Sequence, residues 1–431
     1  MQLLLIGSGG REHALAWALS RSPQVSALYS LLGNGGIHRI AQPVTVPADD
    51  FAAIADWCKA HSIDYVVVGP EAPLVEGIAD VLEAAGIKVF GPSKAASQLE
   101  GSKHFTKEIC FKYGIPTAAS GSFTDAKGAK AYIRQQGAPI VVKADGLAAG
   151  KGVIMAETEA EALEAVDTIF EGKFGAAGRR VVIEEWLIGE EASFFAVADG
   201  EHVVAIGAAQ DHKRIGEGDT GPNTGGMGTY SPTPALGDAQ VEEVMETIIR
   251  PTVEGLKKEG APYRGILFAG LMMTKDGPKL LEYNIRFGDP EAQVLIPRLE
   301  TDLVEIITHT CAGTLDRLQV KLHDQSALCV VMASKGYPGD YVKGTVIDNL
   351  DAAEALENTL IFHAGTAKEG DTWKATGGRV LGVTGLGVDI QTAQANAYRA
   401  VQTINWPEGI YRRDIGWRAL EKEKKNQKEA S

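Results

Sequence analysis

Residues 3–19, LLLIGSGGREHALAWAL, set the expected fold class of this chain. A short apolar run stops at Gly7, a glycine-rich turn follows, and a helical pattern begins at Arg11. A buried parallel strand has this continuous apolar character, and the helix after it provides the crossover to the next strand. The stretch therefore predicts the first β–α unit of a doubly wound parallel sheet.

Residues 1–102 repeat this alternation and form the predicted N-terminal domain. Apolar residues at helical spacing cover 51–58, and continuous apolar runs at 65–68 and 88–90 predict two further buried strands. A Gly-Pro pair ends both runs, as is typical where a strand leaves its sheet. We expect an α/β domain with a doubly wound parallel sheet.

After residue 102 the order of elements changes to α+β. The sequence predicts a strand at 140–143 that runs into a glycine-rich stretch, and another strand at 181–184. Between them, Thr158 and Glu161 have the spacing of a capping box, which predicts the start of a helix.

Strands between residues 191 and 325 are expected to be antiparallel. Apolar runs at 266–273 and 279–284 flank an Asp-Gly turn, which predicts a β-hairpin. A new strand at 328–333 begins a last α/β domain. The domains we predict after the first are a region 103–325 and a C-terminal domain 326–431 whose charged tail, 421–431, is a fraying helix end or disordered.

The chain of 431 residues carries 42 Lys and Arg against 56 Asp and Glu, a formal net charge of −14. This acidic balance argues against a nucleic-acid partner, because binding a phosphate backbone needs a basic surface, but small phosphorylated ligands stay open. Four widely spaced cysteines fit neither a zinc site nor a disulfide framework. We see no signal peptide and no apolar run long enough for a membrane span. We expect a cytoplasmic monomer with small-molecule partners and no membrane partner.

Gly7-Ser8-Gly9-Gly10 lies between the first strand and the first helix. The amides of such a turn, together with the helix N-terminus, can bind an anion. A dinucleotide fold would need glycine at position 12, where this chain has Glu12, and an acidic residue about 20 residues later, where residues 27–31 read ALYSL. The motif predicts an anion or phosphate site, with a purely structural turn as the alternative.

A second glycine-rich stretch, GLAAGKG at residues 146–152, follows the strand that ends at Lys143. It is not a P-loop, because the glycine spacing is one residue short and Gly152 replaces the required Ser or Thr. A mobile loop beside a lysine can still fold over a triphosphate. A loop made flexible for packing is the alternative.

Glu282, Asn284 and Arg286 alternate along one predicted strand, and Asp289 and Glu291 follow at once. Alternate residues of a strand share a face, so a carboxylate, an amide oxygen and a guanidinium are expected to project together. Such a face suits a hard divalent cation beside an anion. A surface ladder of salt bridges is the alternative.

Residues 211–214, DHKR, precede a segment at 216–228 that contains six glycines. Long irregular loops are usually functional or disordered, so we expect a long glycine-rich substrate loop, with a disordered insertion as the alternative. His212 has no partner histidine at a spacing suitable for a metal site.

In this order, the motifs resemble the glycinamide ribonucleotide synthetase family of the ATP-grasp superfamily along nearly the whole chain. The stretches that carry the resemblance are IGSGGREHAL (6–15), VGPEAPL (68–74), GPSKAASQLEGSK (91–103), VKADGLAAGKGV (142–153), IEEWLIGEEASF (183–194), QDHKRIGEGDTGPNTGGMG (210–228), LEYNIRFGDPE (281–291), HAGT (363–366) and TGGRVL (376–381).

The resemblance implies an N-terminal domain, an ATP-grasp domain pair with the 118–190 subdomain as its lid, and a C-terminal domain. It also implies an ADP-forming carbon–nitrogen ligase that joins glycine to 5-phosphoribosylamine through glycyl phosphate, in purine biosynthesis. ATP is implied as a substrate, and Mg²⁺ or Mn²⁺ as the cofactor. Catalysis would then be mostly positioning and charge neutralisation, without a Ser or Cys nucleophile.

The resemblance also implies roles for individual residues. For ATP, the resemblance implies that Lys103 and Lys143 contact the phosphates and that Glu191 contacts the ribose. The residues implied for the closing loop are Gly146, Gly150, Lys151 and Gly152. The residues implied to lie against the adenine are Glu184, Glu185, Trp186 and Leu187. Glu282 and Asn284 are implied as metal ligands. Arg286 is implied to neutralise the reacting carboxylate or phosphoryl group, and Asp211 and Lys213 to place the substrates. Those implied for the phosphoribosyl substrate are Gly9, Gly10, Asn223, Gly225, Gly226 and Asp289.

One departure from the superfamily pattern concerns the metal. Many ATP-grasp enzymes carry a further acidic ligand about a dozen residues before the Glu-x-Asn pair, where this chain reads FAGL at 268–271. Three other activities stay open: an ATP-grasp ligase with a different amine acceptor, a biotin carboxylase-like enzyme, and a non-catalytic nucleotide sensor.

Overall fold

A five-stranded parallel sheet opens the chain in the computed structural model, which describes residues 1–147, 152–173 and 175–429. Its strands lie in the order β3-β2-β1-β4-β5, which confirms the predicted doubly wound sheet. The elements of this part are β1 (Gln2–Gly7), α1 (Gly10–Arg21), β2 (Ala27–Leu32), β3 (Gln42–Val44), α2 (Phe51–Ala60), β4 (Tyr65–Val68), α3 (Glu71–Glu76), α4 (Ile78–Ala84), β5 (Lys88–Phe90) and α5 (Gln98–Gly101).

The next part of the chain forms a small four-stranded antiparallel sheet in the order β6-β9-β7-β8. Its elements are α6 (Lys103–Tyr113), β6 (Ser120–Phe123), α7 (Ala126–Gln136), β7 (Ile140–Ala144), β8 (Val153–Ala156), α8 (Glu159–Thr168) and β9 (Val181–Glu185). Thr158 and Glu161 form the predicted capping box at the start of α8. Helices α7 and α8 cover one face of this sheet, and its other face is left for the site described below.

A nine-stranded sheet forms the centre of the molecule, and its first strands are antiparallel as expected. Its main path runs β16-β15-β10-β11-β14-β17-β22-β19. The elements up to residue 312 are β10 (Glu190–Asp199), β11 (Val203–Asp211), β12 (Arg214–Gly216), β13 (Thr220–Asn223), β14 (Gly228–Ser231), α9 (Asp238–Val244), α10 (Arg250–Lys258), β15 (Arg264–Thr274), β16 (Gly277–Asn284), α11 (Ala292–Leu295) and α12 (Leu303–Ala312).

The C-terminal part continues this central sheet rather than starting a separate one, because β14 pairs with β17. A three-stranded sheet, β18-β21-β20, stands beside it, and α14 packs on β17 and β22. The elements are β17 (Ser326–Ser334), β18 (Thr345–Ile347), α13 (Leu350–Glu354), β19 (Thr359–His363), β20 (Thr366–Glu369), β21 (Thr372–Ala375), β22 (Arg379–Gly387), α14 (Ile390–Thr403), β23 (Gly409–Ile410) and α15 (Trp417–Glu429). Helix α15 therefore takes up most of the predicted charged tail.

The N-terminal and C-terminal parts meet at a buried polar junction around α1 and β19. The backbone N–H of His363 donates to Nδ1 of His13 at 2.7 Å, and the Asn34 side-chain amide donates to the His363 carbonyl at 2.7 Å. The Asn34 oxygen in turn accepts the Gly36 and Ile37 amides. This junction holds helix α1, whose N-terminus carries Gly9 and Gly10, against the C-terminal part.

Acid is expected to weaken the fold through His13. Burial, and next the neighbouring His363, lower the pKa of His13 from 6.5 to about 3, whereas the unfolded chain binds this proton below about pH 6.5. Stability from neutral His13 is therefore fully present above pH 6.5 and is lost as the pH falls toward 3. Between pH 7 and pH 5 the loss from this group amounts to about 2 kcal/mol in the free energy of unfolding.

Denaturant unfolding of the wild type and of His13→Asn at both pH values measures this effect. Asn keeps an acceptor near the His363 N–H but does not titrate, so its free energy of unfolding should fall less between pH 7 and pH 5. An equal fall in both proteins would contradict the role given to His13.

Candidate active site

The face of the small sheet that α7 and α8 leave uncovered is turned toward the central sheet. It carries a buried triad of charged side chains. Ile140, Val142 and Ala144 of β7 pack under α7 and α8, so strand alternation turns Lys143 to the opposite face. Glu184 on β9 shares that face, because it pairs with Val141, two residues from Lys143. Lys143 Nζ lies 2.8 Å from Glu184 Oε2, and Lys107 Nζ lies 3.3 Å from Oε1.

The triad carries a net positive charge at a site that is shielded from solvent. Burial alone raises the pKa of Glu184, but Lys143 and Lys107 outweigh it and hold that pKa below its ordinary value. Burial in turn lowers the pKa of Lys107, although Glu184 partly opposes this. Two ammonium groups against one carboxylate leave a net positive charge, which favours binding of an anion at this face.

Lys103 and the residues around the glycine-rich loop lie beside this triad. Lys103 Nζ donates to the Gly146 carbonyl at 3.0 Å, and the Gly152 carbonyl accepts the Ala144 amide at 2.8 Å. Burial lowers the pKa of Lys103, with Glu282 the strongest opposing charge. Of the closing loop, Gly150 and Lys151 lie outside the described residues.

A β-bulge aims the two expected metal ligands into the same cleft. Leu271 pairs with Leu280 whereas Gly270 pairs with Glu282, so Leu281 is an extra residue in β16. Strict alternation would place Leu280 and Glu282 on one face, but Leu280 and Tyr283 lie together in the core. The bulge therefore turns Glu282 and Asn284 to the opposite face of the strand. Lys143 Nζ lies 3.4 Å from the carbonyl oxygen of Leu281, directly before Glu282.

The donor set on this face fits a hard divalent cation that is completed by phosphate. Glu282 and Asn284 offer a carboxylate and an amide oxygen, which such ions prefer. Within the described residues, no group of three or more His, Cys, Asp or Glu side chains could hold a metal ion. Magnesium typically takes one or two carboxylates and completes its shell with substrate phosphates and water, and the Lys143 face lies across from these ligands.

Arg286 departs from the expected strand pattern. β16 ends at Asn284, so the backbone leaves the sheet before Arg286, and the predicted three-residue face is reduced to Glu282 and Asn284. Arg286 instead donates to Glu71 at 3.0 Å and to Glu100 at 2.8 Å. Despite burial, Glu100 and then Glu71 raise its pKa, so the guanidinium joins the central sheet to the N-terminal part.

The segment expected against the adenine connects the two sheets. Residues 186–189 run from the end of β9 to the start of β10, and Trp186 and Leu187 are half-buried there. The Glu185 amide already donates to the Ala119 carbonyl at 2.9 Å, and its carboxylate lies 3.1 Å from Lys279 Nζ. Glu191 follows on β10, where its carboxylate lies 2.7 Å from Lys213 Nζ.

A second cluster brings together the residues expected for the phosphoribosyl substrate. Asp289 accepts the Arg11 amide at 3.2 Å, and a Cβ on Gly9 would lie 2.9 Å from the same carboxylate. The Gly9 amide itself donates to Glu12 at 2.6 Å, so one of the two expected glycine amides is engaged within the protein. Gly10 packs against the Gln293 amide, which donates to Asp289 at 2.9 Å.

Asp211 lies at the centre of this second cluster. Burial, and next the charge of Glu291, raise the pKa of the Asp211 carboxyl well above its ordinary value. Gly226 has a φ of +109°, and a Cβ there would approach Pro290 at 2.5 Å and the Asp211 carboxylate at 2.7 Å. Glycine is therefore required at position 226 by both conformation and space.

Arg379 is a site residue that motif reasoning did not assign. From the start of β22, its guanidinium donates to the carbonyls of Gly225 and Asp289, and it lies 3.4 Å from the Asp289 carboxylate. It thus joins the C-terminal part to two sequence-predicted segments. The residues TGGRVL belong to a recognised motif, but only the fold shows where this side chain reaches.

The expectation of a long irregular loop after Lys213 is wrong. Arg214–Gly216 and Thr220–Asn223 form the two short strands β12 and β13, which pair with each other. The glycines serve the turn and the close strand approach, since Gly218 and Gly221 both have positive φ. Asn223 is exposed and pairs with Arg214 at the base of this hairpin, and Gly225 and Gly226 follow it.

The small sheet facing a larger antiparallel sheet, with lysines on one side and Glu282 and Asn284 on the other, defines the ATP-grasp class of enzymes. Among solved structures, the fold is shared by the biotin carboxylase domain of the 2-oxoglutarate carboxylase from Hydrogenobacter thermophilus. The TM-score is 0.73 at 16% identity, over 95% of this chain and 91% of that one.

The chain belongs to the phosphoribosylglycinamide synthetase family. The models of that family's N domain, ATP-grasp (A) domain and C domain match residues 1–100, 101–292 and 327–418. Family membership implies the use of ATP and a divalent metal ion.

Relatives of this family match along the full length. The phosphoribosylamine–glycine ligase of Brucella melitensis is 57% identical, over 99% of this chain and 100% of that protein. The crystal structure of the phosphoribosylamine–glycine ligase from Thermotoga maritima has a TM-score of 0.85 at 33% identity, covering 96% of this chain and 100% of that one. In the described part of the chain, no helix is both long and apolar enough to span a membrane.

Proposed function

We propose that this protein joins glycine to 5-phosphoribosylamine at the expense of ATP, giving glycinamide ribonucleotide, ADP and phosphate in purine biosynthesis. The observation that carries this proposal is the full-length match to phosphoribosylamine–glycine ligases at 57% identity. The geometry supports it, because the cleft contains two polar regions. One is the lysine-bearing face of the small sheet, which suits a triphosphate, and the other is the largely buried cluster around Asp211 and Asp289.

A carboxylate needs activation before an amine can displace one of its oxygens. We propose that a glycine carboxylate oxygen attacks the γ-phosphorus of ATP, which releases ADP and leaves glycyl phosphate. The amine nitrogen of phosphoribosylamine then attacks the carbonyl carbon, the bond to the phosphate oxygen breaks, and the amine loses one proton. Both steps need orientation and charge neutralisation, which a preorganised polar site supplies.

The described residues divide between these two steps. Lys103 and Lys143 bind the phosphates of ATP, and residues 184–187 together with Glu191 bind the nucleoside. Glu282 and Asn284 would hold Mg²⁺ or Mn²⁺, which supplies charge neutralisation at the phosphates when bound. The closing loop that contains Gly150 and Lys151 belongs to the same proposal.

We propose that Asp211 takes the proton from the attacking amine. A base works best when its pKa is close to the working pH, and the raised pKa of Asp211 moves it in that direction. Arg286 neutralises the reacting carboxylate or phosphoryl group in this proposal, and Lys213 helps to place glycine and phosphoribosylamine. Gly9, Gly10, Asn223, Gly225, Gly226 and Asp289 form the phosphoribosyl subsite.

Omission assays test the reaction. ADP release is measured with ATP, Mg²⁺, glycine and phosphoribosylamine made in place from ribose 5-phosphate and ammonia, leaving out one component at a time. We expect ADP only when all are present, in a 1:1 ratio with glycinamide ribonucleotide. ADP release with ammonia alone as the amine, without ribose 5-phosphate, would contradict the acceptor. Dependence on bicarbonate instead of glycine would favour a carboxylase. The absence of any ADP release would favour a nucleotide sensor.

That the protein is a monomer and lies in the cytoplasm stays a prediction.

A further inference from the structure

The hairpin of β12 and β13, residues 214–223, projects between two groups of substrate residues. Asp211 and Lys213 come directly before it, and Gly225 and Gly226 come directly after it. At its base, the Thr224 amide donates to the Lys213 carbonyl at 2.7 Å. A shift of the hairpin as a body therefore moves both groups.

The hairpin has little stiffness of its own. Its strands are three and four residues long, and it contains Gly216, Gly218 and Gly221. Isolated two-stranded hairpins are at best marginally stable in water, and glycine adds conformational freedom. Something outside the hairpin must hold it in one place.

The segment at residues 412–418, which we term the C-terminal strap, makes that contact. Arg412 is only 1% exposed, and its Nη1 donates to Asp219 at 2.9 Å and to the Arg214 carbonyl at 3.0 Å. Arg418 donates to the other oxygen of Asp219. Asp414 pairs with Arg412 at 2.7 Å and accepts the Gly218 amide at 2.8 Å.

The strap also fixes the residue between Asp211 and Lys213. His212 is fully buried, and its Nδ1 lies 3.0 Å from the Gly228 carbonyl, to which a protonated Nδ1 donates. Its Nε2 is then free to accept the Gly416 amide at 3.2 Å. Burial, and next Arg412, lower the pKa of His212 to about 4, so the ring stays neutral and keeps this acceptor at physiological pH.

We propose that the C-terminal strap positions the substrate residues at both ends of the hairpin through the contacts of Arg412 with Asp219 and Asp414, with Arg412, Asp219 and Arg418 as positioning residues. Bidentate guanidinium–carboxylate pairs fix the relative orientation of the two side chains as well as attracting them, so they are suited to holding the hairpin in one position. The inference rests on the proposed function, since it places glycine and phosphoribosylamine beside the ends of this hairpin. ATP is bound mainly through the small sheet in that proposal, so its binding should change less than that of glycine and phosphoribosylamine, even though Glu191 pairs with Lys213.

Asp219→Asn tests the proposal with little risk to the fold. Removing Arg412 would leave two carboxylates without their shared cation, whereas Asp219→Asn leaves Arg412 paired with Asp414. Asp219 has a φ of +57°, a conformation that asparagine tolerates well. The matched control is Asp276→Asn, the same change at the exposed tip of the β15–β16 hairpin.

Two readouts are measured on the full-length protein. Amide hydrogen exchange of peptides covering 214–223 should become about tenfold faster in Asp219→Asn, while peptides covering 103–113 stay unchanged. The apparent KM for glycine or for phosphoribosylamine should rise about tenfold, while the KM for ATP stays within about twofold. Asp276→Asn should match the wild type in both readouts.

Three results would overturn the proposal. Unchanged exchange in 214–223 would show that Asp219 does not hold the hairpin. Faster exchange with unchanged KM values would show that the hairpin does not set the substrate sites. Equal changes for all three substrates with a lower Tm would show a purely structural role. A wild type that makes no product refutes the proposed function, and with it the substrate part of this inference, whereas the exchange readout still decides whether the strap holds the hairpin.

Discussion

Glu282→Gln is expected to lower kcat at least about a thousandfold at saturating ATP, because it removes the only carboxylate from the face of β16 that we propose holds the metal ion. Glutamine keeps the size and one oxygen of the side chain, so the bulge at Leu281 and the core contact of Tyr283 should persist. The free energy of unfolding should change by less than about 1 kcal/mol, because Glu282 is half-buried and outside the core.

Turnover measured against Mg²⁺ concentration, together with denaturant unfolding, checks this expectation. Glu242→Gln, the same change at an exposed position on α9, is the matched control and should behave as the wild type. Turnover of Glu282→Gln near the wild-type rate, with the same metal dependence, would remove Glu282 from the metal site.

Lys143→Met is expected to reduce kcat/KM for ATP by about two to three orders of magnitude, as when one charge-stabilising donor is removed from an active site. The fold should survive, because Glu184 keeps its contact with Lys107 at 3.3 Å. Methionine also fills much of the volume of the lysine stem.

Lys130→Met on α7 provides the control, since Lys130 pairs with Asp167 on the helical side of the same small sheet. Steady-state kinetics and thermal unfolding of both variants separate the two roles. If Lys143→Met lost stability but kept its kcat/KM for ATP, the lysine would be a structural partner of Glu184 only.

Much of the fold could be predicted from local patterns. The apolar run at the start of β1, the Gly-Pro ends of β4 and β5, and the capping box of α8 each depend on neighbouring residues alone. The antiparallel hairpin of β15 and β16 follows from its Asp-Gly turn for the same reason. Such signals are local, so one sequence contains them.

The features that the patterns missed depend on contacts distant in sequence. The extra residue at Leu281 appears only when β16 pairs with β15, and it decides which face Glu282 takes. Arg286 pairs with Glu71, 215 residues earlier in the chain, so alternation could not place it. Arg412, which contacts the hairpin at 214–223, lies 193 residues after Asp219 in the chain, so the glycines of this segment resemble an irregular loop in the sequence.

The buried charges show the same limit. The resemblance places residues 184–187 against the adenine mainly through their backbone, and it does not show that the Glu184 side chain pairs with Lys143 and Lys107. Sequence spacing identifies which groups can carry charge, whereas burial and partners decide how that charge is used. Asp211 is a further example, because the neighbour that raises its pKa, Glu291, lies 80 positions later in the numbering.

The central claim is that the glycine carboxylate is activated by phosphoryl transfer, and isotope transfer tests it most directly. Glycine labelled with ¹⁸O in both carboxylate oxygens is turned over with unlabelled ATP and phosphoribosylamine, and the phosphate formed is analysed by mass spectrometry. We predict one ¹⁸O atom in each phosphate released and one retained in the amide carbonyl of the product. Phosphate without ¹⁸O would contradict an acyl phosphate, because its oxygen would then have come from water.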